Sequence, residues 1–296
     1  MRTLPAAVLS DPCSIASRLA IALVLGASAH AQHWLSAARW YDPMIGQLRV
    51  AADLDHDGDV DVVRFAGNTA TTLLNTGAGE FAQGPATALP AGWSGPYVLI
   101  DLDNDGNRDL VIGASASYAS GRGLLVFPGT GAGGFGSPAF VAVAGDVEGL
   151  VEGEANGDGV RDVAIVYRVS SPGLSYWVGW LLGSPVGNYQ LQPQLQIAVS
   201  QYAQGIVAFD PDGNGIDDLA AVVNNNLVRV LPTVGAVPTP GPSFPMSSSS
   251  YGGVLAADVD GDLDDDLIVN GGQGAQGRLV VIKTLPGFTF SVSSQP

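Results

Sequence analysis

The chain has 296 residues, 46% of them hydrophobic, which is enough apolar material for a core and excludes wholesale disorder. Gly 40 and Pro 19 are too many helix breakers for a helical bundle and suit many short strands joined by turns, so the composition reads as all-β. Lys+Arg 12 against Asp+Glu 28 leaves a net charge of -16, which repels phosphate backbones and anionic lipid and excludes nucleic acid and membrane surfaces as partners.

Residues 1–31 read as an export signal. Arg2 and Arg18 precede an apolar run from Leu19 to Ala27, and Ala29-His30-Ala31 supplies a small-x-small cleavage pattern, with cleavage expected after Ala31. The stretch Leu19–Ala31 is shorter than the ~20 residues of a spanning helix, so no membrane insertion is expected once the signal is removed. The expected location is secreted, extracellular or at a cell surface, with a periplasm as a further option. Cys13, the one cysteine, leaves with the signal, so the exported chain has neither disulfide nor zinc-thiolate site. Residues 32–44 form an N-terminal segment, and residues 45–296 hold the folded body.

In that body one nonapeptide recurs five times: Asp53–Asp61, Asp101–Asp109, Glu154–Asp162, Asp210–Asp218 and Asp258–Asp266. The starts are 48, 53, 56 and 48 residues apart, which is the period of a four-stranded propeller blade rather than of a helical solenoid. Twenty-two of the 28 acids fall inside these nonapeptides, so the charge is concentrated rather than spread. Strand-like sequence flanks every copy: Leu48–Ala52 before the first, then Val62–Phe65, Leu110–Ile112, Val163–Tyr167, Leu219–Val223 and Leu267–Val269 after the five in turn. A third apolar run follows in each unit: Thr72–Leu74, Leu124–Phe127, Trp180–Leu182, Leu227–Leu231 and Leu279–Ile282. Gly-rich turns ending in an aromatic, Asn75–Phe81 and Gly129–Phe135, lead to weaker fourth strands such as Phe140–Val143 and Leu195–Val199. The predicted fold is a β-propeller of five four-stranded blades of about 50 residues each, with an acidic loop between the first and second strand of every blade.

The D-x-D-x-D-G-x-x-D-L/V loop between two strands, repeated beside an N-x-G-x-G-x-F hairpin, resembles the FG-GAP and VCBS repeats from which the propeller of integrin α-subunits is built. The resemblance covers nearly the whole of residues 45–296. Integrin heads have seven blades, whereas five are found here. The ring is therefore expected either to close with five, with His33–Tyr41 pairing with the last blade, or to be an incomplete part of a larger propeller.

Oxygen ligands at loop positions 1, 3, 5 and 9, with a backbone carbonyl at position 7, can surround one ion with six or seven hard oxygens once a water joins. That arrangement fits Ca2+ better than Mg2+, which demands a strict octahedron and keeps its waters. The predicted ligands are Asp53, Asp55, Asp57, Asp59 and Asp61 in loop one, and Asp101, Asp103, Asp105, Asn107 and Asp109 in loop two. Loop three supplies Glu154, Asn156, Asp158, Val160 and Asp162, and loop four Asp210, Asp212, Asn214, Ile216 and Asp218. Loop five supplies Asp258, Asp260, Asp262, Asp264 and Asp266. Glycine at position 6 (Gly58, Gly106, Gly159, Gly215) permits the sharp reversal of the loop, and Leu263 breaks the pattern in the fifth copy. Up to five structural Ca2+ ions are expected, with the first two loops tightest.

Four-stranded blades put the acidic loops and the glycine hairpins on one face of the ring. The opposite face is expected to gather Trp93, Tyr97, Tyr118, Tyr176, Trp177, Tyr202 and Tyr251, either as a surface for an extracellular protein or glycan ligand or as packing between blades. With only His33 and His56 outside the signal, and no cysteine, acid-base and nucleophilic schemes have few players, so no enzyme is expected. The expected role is a non-catalytic adhesion, protein-binding or scaffold module. A lectin using Trp93, Trp177 or Trp180 against sugar is one alternative, and a lyase-like or hydrolase-associated propeller another.

Overall fold

The structure is a computed structural model that describes residues 47–91, 93–115, 118–171, 173–199, 203–223, 227–246, 251–273, 276–285 and 288–295. The export signal, the segment 32–44 and Tyr202 lie outside the described residues.

Five antiparallel sheets follow one another along the chain. The first pairs β1 (Gln47–Ala52), β2 (Asp61–Ala66), β3 (Thr69–Asn75) and β4 (Phe81–Ala88) in that order. In the second, β5 (Trp93–Ile100), β6 (Asp109–Ala114), β7 (Gly123–Phe127) and β8 (Ala139–Ala142) do the same. The third holds β9 (Asp146–Gly153), β10 (Asp162–Val169) and β11 (Ser175–Leu182), with the outer place shared by β12 (Gln190–Leu191) and β13 (Leu195–Val199), both paired with β11. β14 (Ala203–Phe209), β15 (Asp218–Val223) and β16 (Leu227–Leu231) build the fourth. There a small hairpin of β17 (Thr233–Val234) and β18 (Val237–Pro238) intervenes before β19 (Ser243–Pro245) takes the outer edge. The fifth consists of β20 (Tyr251–Ala257), β21 (Asp266–Gln273), β22 (Gln276–Leu285) and β23 (Thr289–Gln295). This is the β-propeller read from the sequence, with one acidic loop joining the first two strands of every blade.

The core lies between blades rather than within them, which is why the second strands of the inner blades carry continuous apolar runs, Leu110–Ile112, Val163–Tyr167 and Leu219–Val223, instead of alternating. Strand side chains point to opposite faces in turn, and a blade packed on both sides must be apolar on both. In β15, Leu219 and Ala221 pack toward the third blade while Ala220 and Val222 pack toward the fifth, all four fully buried. Four such clusters join blades one to two, two to three, three to four and four to five. Among the described residues no corresponding cluster joins the fifth blade to the first.

The glycine hairpins form as expected. Thr76 N–H donates to the Glu80 carbonyl at 3.0 Å, and Thr130 N–H to that of Gly134 at 3.0 Å. At Gly77 a Cβ would come within 2.8 Å of Asp59 Oδ2, so the hairpin packs directly against the acidic loop of its own blade.

Candidate metal centres

Each acidic loop is organised around its first residue. The Asp53 carboxylate accepts from His56 N–H at 2.8 Å and Gly58 N–H at 3.1 Å, and Asp101 accepts from Asp105 N–H and Gly106 N–H, both at 3.1 Å. Asp210 does the same for Asn214 and Gly215, Asp258 for Gly261 and Leu263, and Glu154 for Asn156 and Gly157. The side chain at position 5 then accepts from the N–H of position 7 in all five copies, at 2.7 to 3.1 Å. These bonds curl the chain so that positions 1, 3 and 5 converge. One carboxylate oxygen each from Asp53, Asp55 and Asp57 lies within 4.8 Å of the other two, and so it is for Asp101, Asp103 and Asp105 and for Asp258, Asp260 and Asp262. In loops three and four, Asn156 and Asn214 put a neutral amide at position 3 or 5.

Position 9 is a different kind of residue from the other predicted ligands. Asp61, Asp109, Asp162 and Asp266 are fully buried at the start of the second strand and Asp218 nearly so. Asp61 accepts from Leu54 N–H at 2.9 Å and Asn75 N–H at 2.8 Å, and Asp109 accepts from Leu102 N–H at 3.0 Å and Gly129 N–H at 2.7 Å. Asp162 and Asp266 make the same two bonds. The carboxylate thus ties the loop to the end of the third strand. Burial raises Asp109 and Asp162 to about 6, against the lowering by these N–H groups. Asp218 rises to about 7, again through burial. It holds only the Thr233 N–H, because Pro211 at position 2 has no N–H to give.

Two features of the loops escape a reading of position 6 alone. Position 4 also takes a positive φ in every copy: His56 at 65, Asn104 at 58, Gly157 at 74, Gly213 at 66 and Gly261 at 83. The sequence carries a signal for this, since each of these residue types is enriched in the left-handed region. Leu263 occupies the position-6 geometry at φ 77, so the fifth loop keeps its shape without the glycine. The second feature is position 8. Asp217 accepts from Glu154 N–H at 2.7 Å and Asp265 from Asp210 N–H at 3.4 Å, each linking one loop to the loop of the preceding blade. His56 meets Asn107 Oδ1 through Nε2 at 2.8 Å while remaining exposed, a third link between successive loops. The acidic loops therefore lie side by side on one rim.

Asp55 Oδ1 is buried with no hydrogen-bond partner although it stands beside two further carboxylates. An isolated buried carboxylate oxygen is costly, and a divalent ion is the partner that an all-oxygen group of this kind fits. Loop five differs: Lys283 Nζ sits 3.0 Å from Asp260 Oδ2, and this ammonium holds the Asp260 carboxyl below the usual carboxylate range.

Of the aromatic residues expected on the other face, Trp93, Tyr97 and Tyr118 pack against neighbouring rings. Phe65 stacks on Tyr97 at 4.5 Å and on Trp93 at 5.6 Å, Tyr118 lies 5.4 Å from Phe140, and Tyr176 is buried. Trp180 is fully buried between blades three and four, its indole N–H donating to Thr233 Oγ1 at 3.1 Å, so it cannot stack on a sugar. Trp93 and Trp177 keep part of their surface exposed.

Comparison with known proteins gives a consistent picture. No curated protein matches the chain in sequence. Among solved structures, a lectin of Agrocybe aegerita that specifically recognises non-reducing terminal N-acetylglucosamine aligns with a TM-score of 0.57 at 18% identity, over 83% of this chain and 65% of that one. The V. cholerae biofilm matrix protein Bap1 aligns with a TM-score of 0.41 at 15% identity, over 81% of this chain and 38% of that one. The chain thus spans less than two thirds of either relative. Residues 53–112, from the first acidic loop through the second and into the strand that follows it, match the FG-GAP-like repeat family, so the resemblance read from the loop and the hairpin holds there.

Proposed function

We propose that the chain is an exported, calcium-stabilised β-propeller that acts as a binding or scaffold module for an extracellular protein or glycan, without catalysis of its own. The observation that carries the calcium reading is Asp55 Oδ1, buried and unpartnered within the group it forms with Asp53 and Asp57. Positions 1, 3 and 5 with the position-7 carbonyl would hold the ion, and position 9 would fix the loop behind it. Bound calcium supplies charge neutralisation and loop rigidity. Two carboxylates about 4 Å apart repel by roughly 4 kcal/mol at an effective dielectric near 20, so an empty loop is strained electrostatically. Each site filled at ten times its dissociation constant adds about 1.4 kcal/mol to stability. Export rests on the pattern of residues 1–31.

A thermal melt of the purified protein in calcium, in magnesium and in EGTA, with metal analysis by mass spectrometry, tests the reading. Calcium should raise the Tm well above EGTA and magnesium should not, and Asp57→Ala or Asp105→Ala should narrow that gap. Protein that is metal-free and equally stable in EGTA refutes it. A glycan ligand has one structural reason in its favour, the fold shared with a lectin at a TM-score of 0.57. Glycan-array binding abolished by Trp177→Ala would support it, and capture of a protein ligand unaffected by that change would support the protein alternative.

A further inference from the structure

In each of the first four blades the same positions face the following blade. Two residues after the loop's closing Asp these are Val63, Val111, Ala164 and Ala220, every one fully buried in the cluster with the next blade. In the fifth blade that position is Ile268, and it belongs to no cluster. Its register partners are Leu255 on β20 and Val281 on β22, and Leu279 follows two residues before Val281 on the same face. Leu255 is 65% exposed and Leu279 43% exposed. The face carries the apolar residues of an interface, and among the described residues no cluster packs a blade against it.

We propose that residues 34–45 of this same chain cover the face and close the ring. The segment runs directly into β1, an edge strand of the first blade, whose own outward face of Val62 and Leu73 is likewise left out of the clusters. It therefore joins the fold at the first blade, the other blade with an unpartnered face among the described residues. Within twelve residues it offers Trp34, Leu35, Trp40, Tyr41, Met44 and Ile45, an apolar set large enough to match Leu255, Ile268, Val281 and Leu279. Fifteen extended residues between the expected cleavage point and β1 reach about 50 Å, whereas a four-stranded sheet is only ~19 Å wide. The segment carries one Arg and one Asp, so its burial demands little charge desolvation. Removal of residues 1–31 leaves it intact.

The full chain carrying Cys13→Ala has no thiol and serves as background for the test. Leu255→Cys is combined in turn with Trp34→Cys, Ala37→Cys and Trp40→Cys, followed by mild oxidation. At least one pair should form a disulfide within single chains in most molecules, seen as a monomer of unchanged size whose thiols no longer react. In parallel, Leu255→Asp should lower the Tm by about 4 °C in the parent, and by less than half as much when Trp34→Ala and Trp40→Ala are already present. Pairs that all stay reduced, disulfides that form only between chains, or an equal Tm shift in both backgrounds overturn the proposal. The between-chain result would assign the face to a second copy.

Discussion

Leu263 is 89% exposed and sits at φ 77, so it gains nothing from packing and bears the steric strain of an L-residue in the left-handed region. Leu263→Gly should therefore stabilise the protein, by up to about 1 kcal/mol after the extra freedom of glycine in the unfolded chain is subtracted. The reverse exchange, Gly106→Leu at φ 90, should destabilise by roughly 1–2 kcal/mol. Urea unfolding of the two variants in EGTA reads both effects without the contribution of an ion. Lys283 raises a second residue-scale question, because its ammonium already occupies one face of Asp260, a carboxylate grouped with Asp258 and Asp262. A calcium ion entering loop five must displace it or share the carboxylate with it. Lys283→Met should accordingly tighten calcium binding at one site and leave the others unchanged, as read by calorimetric titration; an unchanged titration would show that the lysine does not compete.

At the scale of elements, the blades are tied through their loops as well as through their apolar faces. Backbone N–H groups of Gly133, Ser184 and Asp217 reach carbonyls of Leu54, Leu102 and Glu154 in the preceding blade's loop at 2.6 to 2.8 Å. The side chain of Asp217 completes a two-way link with Glu154 at 2.7 Å, whereas Asp265 reaches Asp210 only at 3.4 Å. Asp217→Ala leaves the Glu154 N–H without its carboxylate acceptor and should cost about 1–3 kcal/mol. Asp265→Ala should cost distinctly less, and equal losses in chemical denaturation would contradict this ranking of the two links. The nonapeptides display Asp217 and Asp265 openly, but their role was not legible there. Only the placement of consecutive loops side by side shows that position 8 points at a neighbour rather than into its own loop. The strands themselves were legible because apolar runs bounded by Asp and Gly leave few other choices. Their limits were less so: the third strand of the first blade runs Thr69–Asn75 rather than 72–74, because pairing with β2 adds Thr69–Thr71 at its start and pairing with β4 adds Asn75 at its end.

For the molecule as a whole, the deciding quantity is where the charge sits. The repeat spacing gave blade number and loop placement, since a period near 50 residues and an acidic loop in phase admit one architecture. The aromatic residues were ambiguous, because Trp180 on a strand and Trp93 at a blade rim carry the same sequence signal, and burial between blades is set by the neighbouring sheet. Twenty-two of 28 acids gather in five loops, of which one and two, three and four, and four and five touch through His56 and Asn107, Glu154 and Asp217, and Asp210 and Asp265. Without a bound cation this rim repels itself, and the repulsion between exposed carboxylates is screened over a length that falls from about 10 Å at 0.1 M salt to about 3 Å at 1 M. In EGTA the Tm should therefore climb by several degrees as sodium chloride is raised over that range. In saturating calcium the charge is already neutralised at short distance, and the same series should give a much flatter line. Differential scanning at matched pH distinguishes the two cases, and parallel lines would mean that the rim's charge is not what calcium relieves.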